Sequence, residues 1–414
     1  MLWLMLSLVC AASMWFYTDK IYGLGQPPNF SDLYARWWGS HEVLLHRRNP
    51  YSAAVAHEIQ TVIYGAAVNS RYPGDPWEIA GGFAYPLYTS FFLWPTVYMS
   101  FATAEKFFLG VSELAVLGSL AMWLRLLRFE RSLIGSVALT LFIFGSFPVL
   151  QGLRLENLSL LAAAVITAAI FLFARGHLLS AGIVLAAATF KPQFTILLLP
   201  WLAVWTLSDW RRRGALAWAF LASMLLLILS AEWLVPGWIG DFLRSAQAYR
   251  DYTPGDSLLD LWSSRGGGTV VGLVLVGALF AFTWRHRRDP ADSAPMLVVV
   301  SLFLAATLMI IPTLAPHAQL LLLPGILCLL RYRALLSARI AALTCAAVWL
   351  LLAWSWIASF GLAVAALRLP VTTVWRGWKL PLATSPVLPL AVAIGLVFLL
   401  QKLQANARVE QASD

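Results

Sequence analysis

Five ionisable residues stand out because each lies at the border of an apolar run of the sequence. They are Asp32, Arg154, Glu156, Lys191 and His317. A charged group at the edge of a membrane is costly and is therefore a functional candidate by default. A carboxylate can accept a proton, and cations and a histidine can bind an anion such as a phosphate. All five are predicted at helix ends on one side of the membrane, whereas unrelated structural roles would scatter them over both sides.

Each of these residues also has a purely structural interpretation. Ser31 or Asp32 can cap the start of an interfacial helix. Arg154 and Glu156 can form an internal ion pair, and Lys191 can extend its ammonium group to the interface. The histidine follows a proline, and a lone histidine there is more often a hydrogen-bonded structural residue than a catalyst.

The elements that must position these residues are predicted from composition. Of the 414 residues, 60% are hydrophobic and 12% are charged, against about 25% charged in an ordinary globular chain. A membrane helix needs about 20 mostly apolar residues. The chain offers enough such runs to predict an all-α polytopic transmembrane bundle of about 11 to 13 membrane helices, with interfacial helices in the outer loops. Residues 1–414 are predicted to form a single integral membrane domain.

Several classes of protein are excluded by the same reading. The basic residues form short clusters rather than one stripe, so no nucleic acid partner is expected. The three cysteines lie in apolar runs without ligand spacing, and the sequence lacks nucleotide-binding loops, HExxH and Gly-x-Ser-x-Gly motifs. No cofactor and no metal site is predicted, although a divalent metal on Asp32 with Glu42 or Glu58 is left open.

Clusters of basic residues predict the orientation of the chain, because such clusters favour cytoplasmic loops. The clusters are Arg125/Arg128/Arg131, Arg211 to Arg213, Arg285/Arg287/Arg288 and Arg331/Arg333/Arg339. The spans that alternate consistently with them are 133–150, 157–174, 214–234, 269–284, 295–311, 318–330, 338–360 and 385–401. Three long segments are thereby predicted on the extracytoplasmic side: 18–84, which carries Asp32, 235–268 and 361–384.

Two segments leave alternatives open. Residues 85–101 and 108–124 cannot both cross the membrane if 18–84 is outside and Arg125 inside, so one of them is predicted to be a partial or interfacial helix. The short runs 178–190 and 193–207 meet at Lys191 and form either a hairpin or a broken helix.

Short motifs in a specific order resemble those of a known family. They are Ser31–Trp37, Arg48–Ser52, Phe83–Pro86, Gly152–Asn157, Phe190–Gln193 and Pro316–His317. Each is weak alone, and their order is the specific part. The chain resembles the polyprenol-phosphate-sugar-dependent transferases of glycosyltransferase family 87, which are membrane enzymes of the GT-C class.

The resemblance implies an inverting glycosyltransferase that uses a polyprenyl-phosphate-linked sugar, mannose being the best-attested case, and a lipid or glycan acceptor. It implies a bacterial plasma membrane location with the site facing the extracytoplasmic side. The position that matches the family's general base is Asp32. His317 matches a histidine that orients the phosphate or assists proton transfer. The candidates for binding the donor phosphate are Lys191, Arg154 and Arg36, and Lys191 is preferred to Arg154.

Four further residues are retained as acceptor contacts or structural residues: Tyr34, His41, Glu156 and Asn157. Many relatives have an amide such as Gln where this chain has Glu156, so the carry-over at this position is in doubt.

Two other classes of function are weighed against this one. A transporter or flippase of a lipid-linked sugar or anion would need interrupted helices with midplane charges. An O-antigen ligase or polymerase would depend on basic residues of a late loop, and the 237–265 segment contains Arg244, Arg250 and Arg265. Within that segment, residues 238–252 are typical of an amphipathic interfacial helix.

Overall fold

The fold is all helical in the part of the chain that the structure describes. A computed structural model describes residues 2–21, 31–65, 81–130, 132–252, 257–311, 315–336, 339–377, 379–382 and 387–413. The α-helices are α1 (Leu2–Phe16), α2 (Asp32–His46), α3 (Ala53–Tyr64), α4 (Thr89–Leu93), α5 (Phe101–Leu126), α6 (Leu133–Phe144), α7 (Phe147–Arg154), α8 (Ser159–Ala174), α9 (Leu178–Ala188), α10 (Leu198–Leu207), α11 (Trp210–Leu234), α12 (Trp238–Tyr252), α13 (Leu258–Trp262), α14 (Arg265–Thr283), α15 (Ala294–Ile310), α16 (Leu323–Arg331), α17 (Arg339–Ala365), α18 (Val371–Val374) and α19 (Leu388–Ser413).

Among the described residues, five helices are long and apolar enough to cross a membrane. They lie at 101–126, 210–234, 266–288, 342–365 and 388–406, and α6 with α7 forms a sixth span if this pair, bent by 56°, is counted as one. Five shorter apolar helices of 10–17 residues complete the bundle. The chain is therefore a polytopic helical membrane protein, as predicted, and the number of 11 to 13 membrane helices stays a prediction.

The loops that carry the basic clusters meet in two pairs. The Nε of Arg331 donates a hydrogen bond to the carbonyl of Leu127 (3.0 Å). The guanidinium of Arg213 donates to the carbonyl of Arg287 (2.7 Å). The second pair also lies near the end of α8. Arg213 donates to the carbonyl of Trp205, and the ring of Trp205 lies 4.7 Å from that of Phe173 in the last turn of α8.

Helices α5 and α8 run in the same direction. Glu105, near the start of α5, interacts with Glu156, just before α8. Farther along, the indole N–H of Trp123 donates to Thr167 (3.2 Å). All four basic loops therefore lie at the end of the bundle away from Glu156, which we call the basic end. The opposite end is the site end, and the 26 residues of α5 put about 39 Å between the two.

The parity problem in the sequence is resolved by the 85–101 segment. It contains only the five-residue helix α4 and a single 3-10 turn, Trp94–Thr96, whereas α5 is a full-length helix. The first of the two candidate segments is therefore the partial one. Of the two, only α5 runs from the site end to the basic end.

Helices α9 and α10 form a hairpin rather than one broken helix. At the turn between them, Lys191 bonds Asn157 at the beginning of α8 (3.0 Å). After the turn, Trp205 of α10 packs on Phe173 at the far end of α8. The chain thus rises to the site end along α9 and returns along α10, which places Lys191 at the tip.

The core is formed by helices that are apolar on every face. In α15, every residue from Met296 to Met309 is buried, as is most of α8. Between α7 and α8 the chain reverses tightly, because Gly152 lies against Leu160, where a Cβ would approach within 2.8 Å. This close approach sets the turn 155–158, on which the site is built.

Candidate active site

The first turn of α2 is joined to the turn between α7 and α8. The hydroxyl of Ser31 accepts hydrogen bonds from the backbone N–H groups of Leu33 and Tyr34, both at 3.1 Å, so Ser31 is the N-cap. The backbone N–H of Asp32 donates to the carbonyl of Leu155 (2.8 Å). Because Ser31 performs the capping that the sequence left open between the two residues, the Asp32 carboxylate is available for another role.

A single amide connects Asp32 to Lys191. The Nδ2 of Asn157 donates to the carboxylate of Asp32. Its Oδ1 accepts a hydrogen bond from the Lys191 ammonium (3.0 Å) and another from the Ser159 hydroxyl (2.6 Å). Asn157 is buried, and these hydrogen bonds use both the donor and the acceptor side of its amide. The orientation of the amide therefore sets the separation of the acid from the lysine.

Lys191 is a buried basic residue of the site. Only 5% of the residue is exposed, and its ammonium also donates to the hydroxyl of Ser159. The ammonium lies 4.9 Å from the centre of the Phe194 ring and 5.9 Å from that of Tyr85. Burial lowers the pKa of Lys191 to about 7, an effect that the nearby Asp32 opposes and Arg36 reinforces. The side chain is thus balanced between its charged and neutral forms at neutral pH.

Arg36 lies one helical turn after Asp32 on α2. Its guanidinium donates to the backbone carbonyl of Asp32 (2.7 Å) and lies 3.8 Å from the carboxylate. It also stacks over the ring of Tyr85, 4.9 Å from the centre. The arginine is buried, so it is a fixed positive charge beside the acid.

His317 lines the same cavity from the 3-10 segment Pro316–Leu322, which packs against α7. Its backbone N–H donates to the side-chain oxygen of Gln151 on α7 (3.1 Å). Its ring Nδ1 is buried and has no hydrogen-bond partner among the described residues. A buried polar atom without a partner costs free energy, so a ligand group that bonds it would be favoured.

These residues line one cavity of about 660 Å³ at the site end. Asp32 and Arg36 come from α2, Asn157 from the turn before α8, Lys191 from the hairpin tip and His317 from the segment before α16. Further lining residues come from α12: Phe242, Ala246, Tyr249 and Arg250. Five of the sequence candidates, drawn from four distant parts of the chain, are thus brought together.

Two other candidates lie in the same turn but point elsewhere. Arg154 is exposed and does not line the cavity, so the geometry gives it no contact with a phosphate bound there. Glu156 is buried and accepts a hydrogen bond from Ser31 instead of pairing with Lys191. Its backbone has a φ of +51°, a left-handed conformation that a glutamate rarely adopts.

Glu156 also lies against Glu105 of α5. Burial and this second carboxyl group raise the pKa of Glu156 to about 8, and the hydrogen bond from Ser31 and the charge of Arg154 offset part of the increase. A proton therefore stays on Glu156 at neutral pH, and the neutral side chain connects α5 to the cap of α2.

Tyr34 and His41 face away from the cavity. Tyr34 stacks on Trp38 and meets Phe101 edge-on at 4.9 Å, while the His41 ring lies parallel to Trp38 at 5.1 Å. Both residues belong to an aromatic cluster that packs α2 against α5. Glu42 and Glu58 were considered as metal ligands together with Asp32, but they do not line the cavity. Both accept hydrogen bonds from Arg48 instead.

Sequence reasoning missed several residues of the cavity, among them Tyr85, Ser159 and Tyr249. Tyr85 supplies the aromatic face between Arg36 and Lys191, and Ser159 shares the lysine with Asn157. Tyr249 comes from α12, which was predicted as an interfacial helix. The motif around Tyr85 was a usable signal, because it carries part of the family resemblance, whereas the other two become visible only through contacts.

The fold and the cavity together define a class: a multi-pass helical membrane protein with an acid, an amide and a buried lysine at one end of its bundle. A comparison with protein families refines this class. The model of glycosyltransferase family 87 matches residues 83–312, more than half of the chain. The chain therefore belongs to glycosyltransferase family 87 and is a glycosyltransferase, as the resemblance predicted. Comparison with curated proteins and with solved structures yields no match.

Proposed function

We propose that this enzyme inverts the anomeric centre of a sugar, mannose by the family resemblance, as it moves the sugar from a polyprenyl-phosphate carrier to an acceptor hydroxyl. The observation that carries the proposal is the Asp32–Asn157–Lys191 connection in one cavity. One end of this connection is an acid that can take a proton, and the other is a cation that can hold a phosphate.

Asp32 is the proposed general base. The acceptor hydroxyl gives its proton to the carboxylate while its oxygen forms a bond to the anomeric carbon. The bond between that carbon and the phosphate oxygen breaks, and its electron pair leaves with the phosphate. A positioned base of this kind contributes typically about 10²- to 10⁴-fold to the rate. Attack on the face opposite the leaving phosphate inverts the anomeric configuration.

Lys191 is the proposed partner of the leaving phosphate. A charged lysine on an oxyanion forms a short, strong hydrogen bond, and the low dielectric of the cavity strengthens it. An arriving phosphate favours the charged form of a lysine whose pKa is about 7. Arg36 supports the same anion through its fixed charge, and the unpartnered Nδ1 of His317 supplies another contact to the donor.

A second cavity supports a lipid carrier. It encloses about 900 Å³ beside α6 and α7, and its walls are mostly aliphatic and aromatic side chains of α6, α16 and α17. Gln319 lines it only two residues beyond His317, so the polar and apolar cavities are adjacent. A phosphate at Lys191 with its isoprenoid chain in the apolar cavity is consistent with this geometry.

The location of the basic loops supports the proposed orientation. Their position at the basic end favours a cytoplasmic location for that end, and hence an extracytoplasmic site carried by the 18–84 loop of a single 1–414 membrane domain. A bacterial plasma membrane suits this arrangement. Transport is disfavoured because the charged residues of the cavity lie at one end of the bundle rather than at its middle.

The test is transfer of radiolabelled mannose from polyprenyl-phosphate mannose to a host lipid extract by the purified protein. Asp32→Asn keeps the size and the hydrogen bond from Asn157 but cannot take the proton, so we expect turnover to fall at least about 100-fold. The control is Asp209→Asn, since Asp209 lies at the basic end, where it pairs with Arg212 and interacts with Arg213.

Donor binding is measured on the same preparations. Bound donor with lost turnover in Asp32→Asn supports the base. Undiminished transfer by Asp32→Asn would refute the mechanism. If mannose is not transferred by the native protein, other sugars on the same carrier decide whether the sugar or the reaction was assigned incorrectly.

A further inference from the structure

A second group of ionisable side chains lies at the other end of α2, away from the cavity. The Nδ1 of His41 is 3.1 Å from Oε1 of Glu42, and the Nε2 of His46 is 4.0 Å from the same oxygen. The three donor atoms all lie within 4.8 Å of one another. Imidazole nitrogens with a carboxylate oxygen are the donor set that zinc and related divalent transition metals bind.

The carboxylate of this group is held in a fixed orientation. The second oxygen of Glu42 accepts a hydrogen bond from Arg48, which in turn donates to Glu58 (2.6 Å). Glu58 also accepts a hydrogen bond from the indole of Trp38 (2.9 Å). Outer hydrogen bonds of this type are what orient the ligands of metal sites. Arg48 therefore leaves Oε1 as the oxygen that faces the two imidazoles.

The charge of the surroundings suits a cation. Two carboxylates, Glu42 and Glu58, face one guanidinium, Arg48, so the cluster has one net negative charge when both histidines are neutral. The cluster lies in the last two turns of α2, which ends at His46, and the C-terminal end of a helix dipole favours positive charge. The rings of the two histidines lie 5.2 Å apart.

Access and room for adjustment are both present. The Glu42 side chain is only 4% exposed, whereas that of His46 is 54% exposed and can rotate. Zinc bonds of about 2.0–2.1 Å in a tetrahedron bring ligand atoms to roughly 3.3 Å from each other. Rotation of His46 toward Glu42 supplies that closure and leaves a fourth position open to water.

We propose that His41, Glu42 and His46 bind a divalent transition metal ion of the zinc type at the C-terminal end of α2. All three ligands belong to α2, and one of them, Glu42, is linked to α3 through Arg48, which donates to both Glu42 and Glu58. None of the three ligands lines the cavity that contains Asp32, so the site is structural and does not depend on the proposed reaction.

The experiment is a titration of the full-length protein in detergent, after removal of any histidine tag and treatment with a chelator. Calorimetry with ZnCl₂ is expected to show one saturable site, and the same additions are expected to raise the unfolding temperature. MgCl₂ is expected to do neither, because magnesium prefers oxygen ligands. His46→Gln is the test variant, since this exposed side chain can change without disturbing packing, and we expect it to lower zinc affinity at least 10-fold.

The matched control is His57→Gln, because His57 is an exposed histidine on α3 outside the cluster. Its zinc affinity should equal that of the native protein. Absence of saturable zinc binding would overturn the proposal, and so would equal affinity in His46→Gln. Both readouts are independent of sugar transfer, so a failure here leaves the proposed reaction unaffected.

Discussion

The two ends of α2 are built in different ways. At its start, Ser31 and Asp32 contact Leu155, Glu156 and Asn157, more than 120 positions away in the chain. At its end, Glu42, Arg48 and Glu58 pair with one another within 20 positions of the chain, although Arg47 lies over the ring of the distant Trp233. The first end joins distant helices around a cavity, while the second joins α2 to the helix that follows it.

This difference separates function from stability within one helix. Groups that converge from distant segments are held at an internal cavity where a ligand can meet all of them. Groups that pair locally satisfy one another and leave little capacity for a substrate. Changes at the start of α2 should therefore affect turnover, and changes at its end should affect unfolding. The predictions below test this separation, from the largest expected effect to the smallest.

After Asp32, the largest effect is expected at Lys191. Lys191→Met retains the length and the apolar contacts of the side chain. It removes the positive charge that is proposed to contact the leaving phosphate. We expect kcat/KM for the lipid-linked donor to fall about 100-fold, the value of a charge-assisted hydrogen bond of roughly 3 kcal/mol. Lys106→Met is the control, because Lys106 is exposed on α5. Kinetics indistinguishable from the native enzyme would contradict the assignment of Lys191.

The pH profile adds a second readout of the same residue. Lys191 loses its proton as the pH rises through about 7 in the empty cavity. The donor is anionic and binds best to the charged lysine, so its KM in the native enzyme should rise at pH values above 7. The KM of Lys191→Met should not show this rise. If KM rises in the same way with pH in both proteins, the titrating group is not Lys191.

An intermediate effect is expected at Glu156. Its pKa is raised to about 8 in the folded protein, whereas an unfolded glutamate titrates near pH 4.3. Between these values the unfolded chain releases a proton that the folded chain keeps, so native stability declines as the pH rises and levels off above 8. Glu156→Gln removes this titration. We expect the unfolding temperature of the variant, relative to that of the native protein, to increase by a few degrees between pH 5 and pH 8.

The same variant should change turnover by less than about 10-fold, because glutamine can still accept the hydrogen bond from Ser31 that supports Asp32. Glu156→Leu, which lacks any acceptor, is the contrasting variant and should reduce turnover further. A constant difference in unfolding temperature across the pH range would show that Glu156 is not the titrating group.

The smallest effect on turnover is expected at Arg48. Arg48→Met leaves the buried carboxylate of Glu42 without its cation, and we expect a loss of about 2 kcal/mol in unfolding free energy, since the arginine is itself partly exposed. Turnover should stay within about 2-fold of the native value. Arg244→Met removes a more exposed pair with Asp241 and should change stability by less than about 0.5 kcal/mol. A large loss of turnover in Arg48→Met would break the separation between the two ends of α2.

Much of this protein could be predicted from its residues in order. The apolar runs predicted a helical membrane bundle, and the sequence motifs predicted the glycosyltransferase family, which the family comparison confirmed. Charged residues in an apolar chain are rare, so Asp32, Lys191 and His317 could be singled out without any contacts. The periodicity and length of an apolar helix are local properties, and they survive in the sequence.

Only the tertiary structure decided how these residues meet. It assigned the cap to Ser31, placed Lys191 at the tip of a hairpin, and made Asn157 the amide between acid and lysine. It also separated Arg154, which is exposed, from Glu156, which is buried, although they are two residues apart. Hydrogen bonds and burial depend on which helices pack together, and segments more than 100 residues apart carry no local signal of their contact.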